Sequence, residues 1–284
     1  MSNVFNAGRF GKYFAYDIAS RWKDQRAFIL TSALLPVIFY LVFMFFSMLG
    51  TGLRNIAEGT PVTRPELGIR IGILFITSLL FLMLYPSRAY GFITEKARGS
   101  AWIELPASRL EKFISMMLVC LILVPVFFFA VYLLGDALVC LVDNQCGSSI
   151  FGAWLGNDAR EMVSFGGSAD SGEVILGGNG FWMIASGVLQ LTSVFLLGAL
   201  IFKKMKVTKT VLSLFILSMV LSLIMVTVLK SVDTNALGDR MQAWMFNHAD
   251  NFDLWINFWS NIELAIVVIG CGIWSWFRVK NVQH

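Results

Sequence analysis

Long apolar runs broken by short polar punctuation set the pattern of this chain. The runs cover 27–49, 71–93, 113–135, 181–202, 210–229 and 256–277. The oily core of a bilayer is roughly 30 Å thick, and a helix crosses it in about 20 residues. The pattern therefore predicts an all-α membrane protein with six spanning helices. Pro86 and Arg88 interrupt the end of the second run. A proline there predicts a bend near the headgroups, where freed carbonyls find water or neighbouring groups.

Ahead of the first run the period changes. Over residues 9–24, Phe10, Phe14, Ile18, Trp22, Ala15 and Ala19 share one half of a helical wheel. Arg9, Lys12, Tyr16, Ser20, Lys23 and Asp24 fill the other half, and Arg21 is the exception. This predicts an amphipathic helix lying at the inner interface; the plainer alternative is an irregular basic tail. The first run lacks a small-residue exit and reads as a retained anchor rather than a cleaved signal.

Composition agrees with the pattern. The 284 residues are 57% hydrophobic and 14% charged, whereas a soluble domain carries about a quarter charged residues. The net charge of +4 is a topology signal rather than a nucleic-acid signal. With both termini placed inside, 16 of the 22 Lys and Arg fall on the inner side and only 5 of the 18 acids do. Positive loops stay cytoplasmic, so both ends are expected in the cytoplasm. Trp182, Trp255 and Trp259 fall at outer ends of the runs, and Trp274 and Trp276 at an inner end, which suits an aromatic belt. The chain reads as one transmembrane domain, residues 1–284.

The stretch 142–180 is the largest exterior piece and is rich in glycine. No strand precedes it and no lysine follows it, so it is not a phosphate cradle; a small outer cap is expected. Cys140 and Cys146 flank its start. At that spacing they either pair in an oxidising compartment or stay reduced as small hydrophobes. Cys120 and Cys271 lie inside runs.

Catalytic and metal chemistry is sparse. There is no phosphate-loop motif, no H-E-x-x-H and no Cys/His cluster of zinc type, and the only histidines are His248 and His284. No catalytic residue, metal or bound cofactor is expected, and the chain is read as not an enzyme by itself. Inside the last run, Asn257, Asn261 and Glu263 cluster near one face. An ionisable group at membrane depth raises a functional hypothesis, so these three are candidates for a substrate pathway. The alternative is a polar seam between helices.

The most informative punctuation is "EKARGSAWIELPASRLEKF", Glu95–Phe113. The second helix is expected to continue toward Arg98, with Gly99 as its stop. Ser100 then opens a short helix, 101–105, which Pro106 ends. Ser108 and Glu111 form a capping box that starts the third run. The short helix carries Trp102, Ile103, Glu104 and Leu105. An exposed aromatic among charges has the look of a protein-docking knob; the alternative is a turn with Trp102 resting at the headgroups.

This stretch resembles the loop between spans two and three of ABC type-2 exporter permeases. Glu95, Lys96, Arg98, Gly99 and Ser100 are followed by Pro106, Ser108 and Arg109, although the Gly99-to-Pro106 interval is shorter than in the commonest form. "LPASRLEKF" and "FLLGALIFKKMKVTKT" (Phe195–Thr210) are similar to permease-like proteins of the Bacteroidetes. The resemblance implies a coupling loop, 94–112, that docks a separate cytoplasmic ATPase through Glu95, Arg98, Trp102, Ile103, Glu104, Leu105 and Arg109. It also implies a second permease half, identical or not, with ATP and Mg held by the partner ATPase. Nucleic acid is not an expected partner. A bacterial inner membrane is the expected location. The competing expectation is a membrane sensor or scaffold that signals through the same loop without transport.

Overall fold

The structure, a computed structural model, describes residues 5–51, 64–95, 99, 102–143, 146–147, 149–155, 180–231 and 252–281. Among these residues it is helical throughout, with no strand. The helices are α1 (Ala7–Ala33), α2 (Leu35–Thr51), α3 (Leu67–Tyr90), α4 (Arg109–Leu118), α5 (Val124–Val142), α6 (Ile150–Leu155), α7 (Gly180–Ile201), α8 (Lys206–Ser231) and α9 (Phe252–Asn281). Among the described residues, five helical stretches are long and apolar enough to cross a bilayer: Ala7–Gly50, Leu67–Thr94, Arg109–Val142, Lys206–Thr227 and Phe258–Asn281. The apolar part of α7, Ala185–Ile201, is shorter. Most of the expected outer cap, from 156 to 179, and the stretch 232–251 lie outside the described residues.

The chain forms two compact units. One comprises Met1–Ala89 with Pro106–Ile175, and the other Tyr90–Leu105 with Leu176–His284.

In the first unit, α1 departs from the wheel reading. Asn6 caps it, accepting from the Gly8 and Arg9 amides at 3.0 and 3.2 Å. The helix then runs unbroken to Ala33, so no boundary separates an interfacial helix from a first span at residues 24–27. The break falls at Leu34, because Pro36 has no N–H to continue the ladder and is tolerated only in the first turn of the next helix. The side of α1 that packs on α4 and α5 buries Tyr13 and Asp17, with Arg21 and Gln25 half-buried. A lone helix on lipid would bury its apolar face. Here the neighbouring helices supply hydrogen-bond partners, so a polar seam turns inward.

Helix α3 passes through Pro86 and stops at Tyr90, giving way to a 3-10 turn, Gly91–Thr94. The expected continuation to Arg98 is therefore not seen. The third apolar run is longer than 113–135. From Arg109 to Val142 it is one helical rod of 34 residues, about 51 Å at 1.5 Å per residue. Its cytoplasmic-type charges Arg109, Glu111 and Lys112 precede the apolar part, which begins at Phe113. A π-helical turn, Val119–Leu123, sits directly before Pro125. Proline cannot donate to the preceding turn, and a wider turn absorbs the mismatch. Aromatic packing ties α3 to the rod: the Phe81 and Phe128 rings stack at 4.3 Å. With no hydrophobic drive in lipid, such close packing is what holds helices together.

In the second unit α7 packs against both α8 and α9. Gly198 makes the close approach to α8 possible, since a Cβ there would collide with the buried Thr210 side chain. The α7–α8 turn carries Met205 at φ 50°, a left-handed conformation that side chains tolerate poorly. Beyond Thr210, α8 is exposed on all sides as far as Thr227.

Candidate docking face and buried polar clusters

The loop after α3 and the turn before α8 meet in the second unit. Lys206, the first residue of α8, donates from Nζ to the Gly91 carbonyl, and its Nζ lies 3.5 Å from Glu95 Oε1. A Cβ at Gly91 would meet the ammonium end of Lys206, a flexible side chain that can shift aside. Glu95 remains half exposed. The Gly99 amide donates to the Glu95 carbonyl at 2.8 Å.

The short docking helix is seen at Trp102–Glu104, with bends at 105–107. Its exposure differs from the sequence expectation. Trp102 is only 4% exposed, so it is an anchor of the fold and not a free knob. Ile103 and Glu104 are exposed, and Leu105 is half-buried. A one-turn helix must turn one residue inward, and the largest apolar ring gains most from burial. Arg98, Ser100 and Ala101 lie outside the described residues. Arg109 is exposed at the start of α4, in the first unit.

The capping box stands as read. Ser108 Oγ accepts from the Glu111 amide at 3.2 Å, and the Ser108 amide donates to Glu111 Oε2 at 2.8 Å. The box also serves a wider network. Glu111 accepts from the Asn6 amide at 2.9 Å and from the Arg9 guanidinium. Hydrogen bonding from Arg9, aided by the two amides, holds the Glu111 carboxyl down at about 2 against the opposing effect of burial. The same bond pushes the Arg9 guanidinium up.

Deeper in the first unit, Asp17 accepts from Arg21 Nε at 3.2 Å and from Ser115 Oγ at 2.7 Å. Arg21 also donates to the Ala89 carbonyl at 3.0 Å. At the other end of the unit, Asp143 accepts from Tyr40 Oη at 2.7 Å and Arg64 Nε at 3.1 Å. Beside it, Asp136 is buried and paired with the buried Arg70 at 3.0 Å. Asp136 directly follows the third run, and Arg70 supplies the charged partner that a buried carboxylate needs. Sequence reasoning missed these pairs. The available signal was opposite charges at matching ends of adjacent runs, and an i,i+4 spacing for Asp17 and Arg21.

Cys140 and Cys146 are bridged, which resolves the two readings in favour of pairing. Cys120 lies free in the π turn and Cys271 is free on α9. Asn261 and Glu263 are exposed on α9. Asn257 belongs to α9, but its side chain lies outside the described residues. No group of three metal-ligating side chains occurs among the described residues.

No protein-family model, curated protein or solved structure gives a significant match to this chain. The class that fold and site define is thus a multi-span, all-helical membrane protein, with paired charges at both ends of its first unit.

Proposed function

We propose that this chain is the permease subunit of an ATP-driven exporter of the ABC type-2 class, moved by a separate cytoplasmic ATPase. In this reading it crosses the bacterial inner membrane six times, with α7 as the fourth span and both termini inside. It pairs with a second permease half, while ATP and Mg are held by the ATPase.

The observation that carries the reading is the Lys206 contact to Gly91 and Glu95. It ties the loop after α3 to the turn before α8, the two segments whose sequences resemble permease motifs. A docking surface that transmits force has to be braced against a spanning helix, and Lys206 opens one. Ile103 and Glu104 then present an apolar and an acidic side chain outward from a turn that the buried Trp102 anchors.

The test is site-specific photo-crosslinking from position 103 in native membranes. A crosslink to a protein that hydrolyses ATP, with hydrolysis stimulated on co-reconstitution and accompanied by solute movement, supports the reading. Stimulated hydrolysis without solute movement identifies a sensor. Lipid adducts alone overturn the docking role.

A further inference from the structure

The Cys140–Cys146 bridge has an unusual neighbour. Arg70 Nη1 lies 2.7 Å from Cys140 Sγ and 3.2 Å from Cys146 Sγ, while also holding Asp136 Oδ1 at 3.0 Å. Arg70 and Asp136 are buried, at 5% and 3% exposure. The other carboxylate oxygen, Asp136 Oδ2, accepts from the Ile150 amide at 2.8 Å. A disulfide that only staples a loop has no use for a guanidinium against both sulfurs. A thiolate does: positive charge beside sulfur favours the ionised form, which is the attacking and the leaving species in exchange. The two cysteines also differ in access, because Cys146 is buried and Cys140 is half-buried.

We propose that Cys140–Cys146 is a thiol–disulfide exchange site for small thiols, with Cys140 as the attacked sulfur and Arg70 as the group that receives the departing Cys146 sulfur. An external thiolate R–S⁻ forms a bond to Cys140 Sγ as the Sγ–Sγ bond breaks, and Cys146 leaves as a thiolate against Arg70. A second R–S⁻ attacks the R sulfur of the mixed disulfide, releasing R–S–S–R and the Cys140 thiolate. Two thiols are oxidised, one protein disulfide is reduced by two electrons, and the two thiol protons pass to water or to the new thiols. Arg70 is a positioning residue: it acts through the sulfur it stabilises. Since the same Nη1 serves Asp136, reduction sets Cys146 and Asp136 in competition for one guanidinium. This couples the redox state to the hold on Ile150. The proposal does not depend on the transport reading.

The experiment uses the full chain in detergent or lipid, without denaturant, exposed to reduced glutathione. Samples are acid-quenched, alkylated and analysed by mass spectrometry. The expected result is reversible reduction, with the glutathione adduct trapped on Cys140. The double variant Arg70→Gln/Asp136→Asn removes the charge without leaving a buried carboxylate unpaired, and should exchange about tenfold more slowly through its poorer leaving group. An adduct on Cys146, a bridge that opens only on unfolding, or free thiols under oxidising conditions would each overturn the proposal. So would an unchanged rate in a folded double variant. Should that variant fail to fold, the position of the wild-type adduct still decides.

Discussion

Arg9 and Glu111, 102 residues apart, are joined by three hydrogen bonds: Arg9 Nε to Glu111 Oε1 and Oε2 at 3.1 and 2.8 Å, and Arg9 Nη2 to Oε1 at 2.8 Å. The pair links the first turn of α1 to the first turn of α4. It makes the start of α1 part of the first unit and not a loose tail.

A pH dependence follows from this pair. The Glu111 carboxyl sits at about 2 in the folded protein against 4.5 in its ordinary state. A lowered folded value means the ionised form is favoured by folding. Its stabilisation is complete above about 4.5 and is lost as pH falls toward about 2. Thermal unfolding in detergent should therefore show wild-type stability dropping across that window. Glu111→Gln should start lower near neutral pH and fall less steeply. Parallel curves for the two proteins would exclude the linkage.

The Gly198 contact gives a steric prediction. A methyl at 198 meets the Thr210 hydroxyl, methyl and Cβ, and Thr210 is buried and β-branched, with little room to turn. Gly198→Ala should lower the stability of the second unit by about 1–3 kcal/mol, the usual cost of overpacking. Adding Thr210→Ala should recover part of the loss, since the Cβ contact persists. Equal stability of Gly198→Ala and wild type would show that the helices separate without cost.

The contrast between these sites shows what the sequence carried. Apolar runs place helices because the bilayer demands length and internal hydrogen bonding: 71–93, 181–202, 210–229 and 256–277 coincide with α3, α7, α8 and α9 to within a few residues, whereas 27–49 begins inside α1 and 113–135 falls across α4 and α5. The Ser108–Glu111 box was readable because capping is local. Which way Asp17 and Trp102 face was not, because that depends on neighbours distant in sequence. Asp17 turns inward only because Ser115 and Arg21 are there to meet it. Glu263 lies on an exposed side of α9, a facing that its place in a run does not show.

The burial of Trp102 changes how docking is tested. Trp102→Ala removes a buried ring and should destabilise the second unit by about 3–5 kcal/mol, so lost partner binding in that variant would be uninformative. Ile103→Asp and Glu104→Arg alter only exposed side chains and should leave thermal stability near wild type. Ile103→Asp should weaken partner association at any salt concentration, whereas the Glu104 effect should fade as salt screens it. Unaltered association in both folded variants would leave the turn without a docking role.

Orientation is the last expectation. Helix α8 has 26 residues from Lys206 to Ser231, about 39 Å in length, enough to cross a core of roughly 30 Å. Lys204 precedes it, Lys230 lies in its last turn, and both are exposed, so single cysteines at these positions should label from opposite sides. The charge bias sets the expected sides: in the six-span reading of the sequence 16 of the 22 basic residues fall on the side that includes Lys204 and Arg278, and positive loops stay cytoplasmic. In a background lacking Cys120 and Cys271, an impermeant maleimide on intact cells should modify cysteine at 230 and at the exposed Glu66 position. It should reach positions 204 and 278 only after the membrane is opened. Labelling of 204 and 230 from the same side would remove α8 from the set of spanning helices, while labelling of 204 and 278 from outside would invert the chain and place its docking turn beyond the reach of any cytoplasmic ATPase.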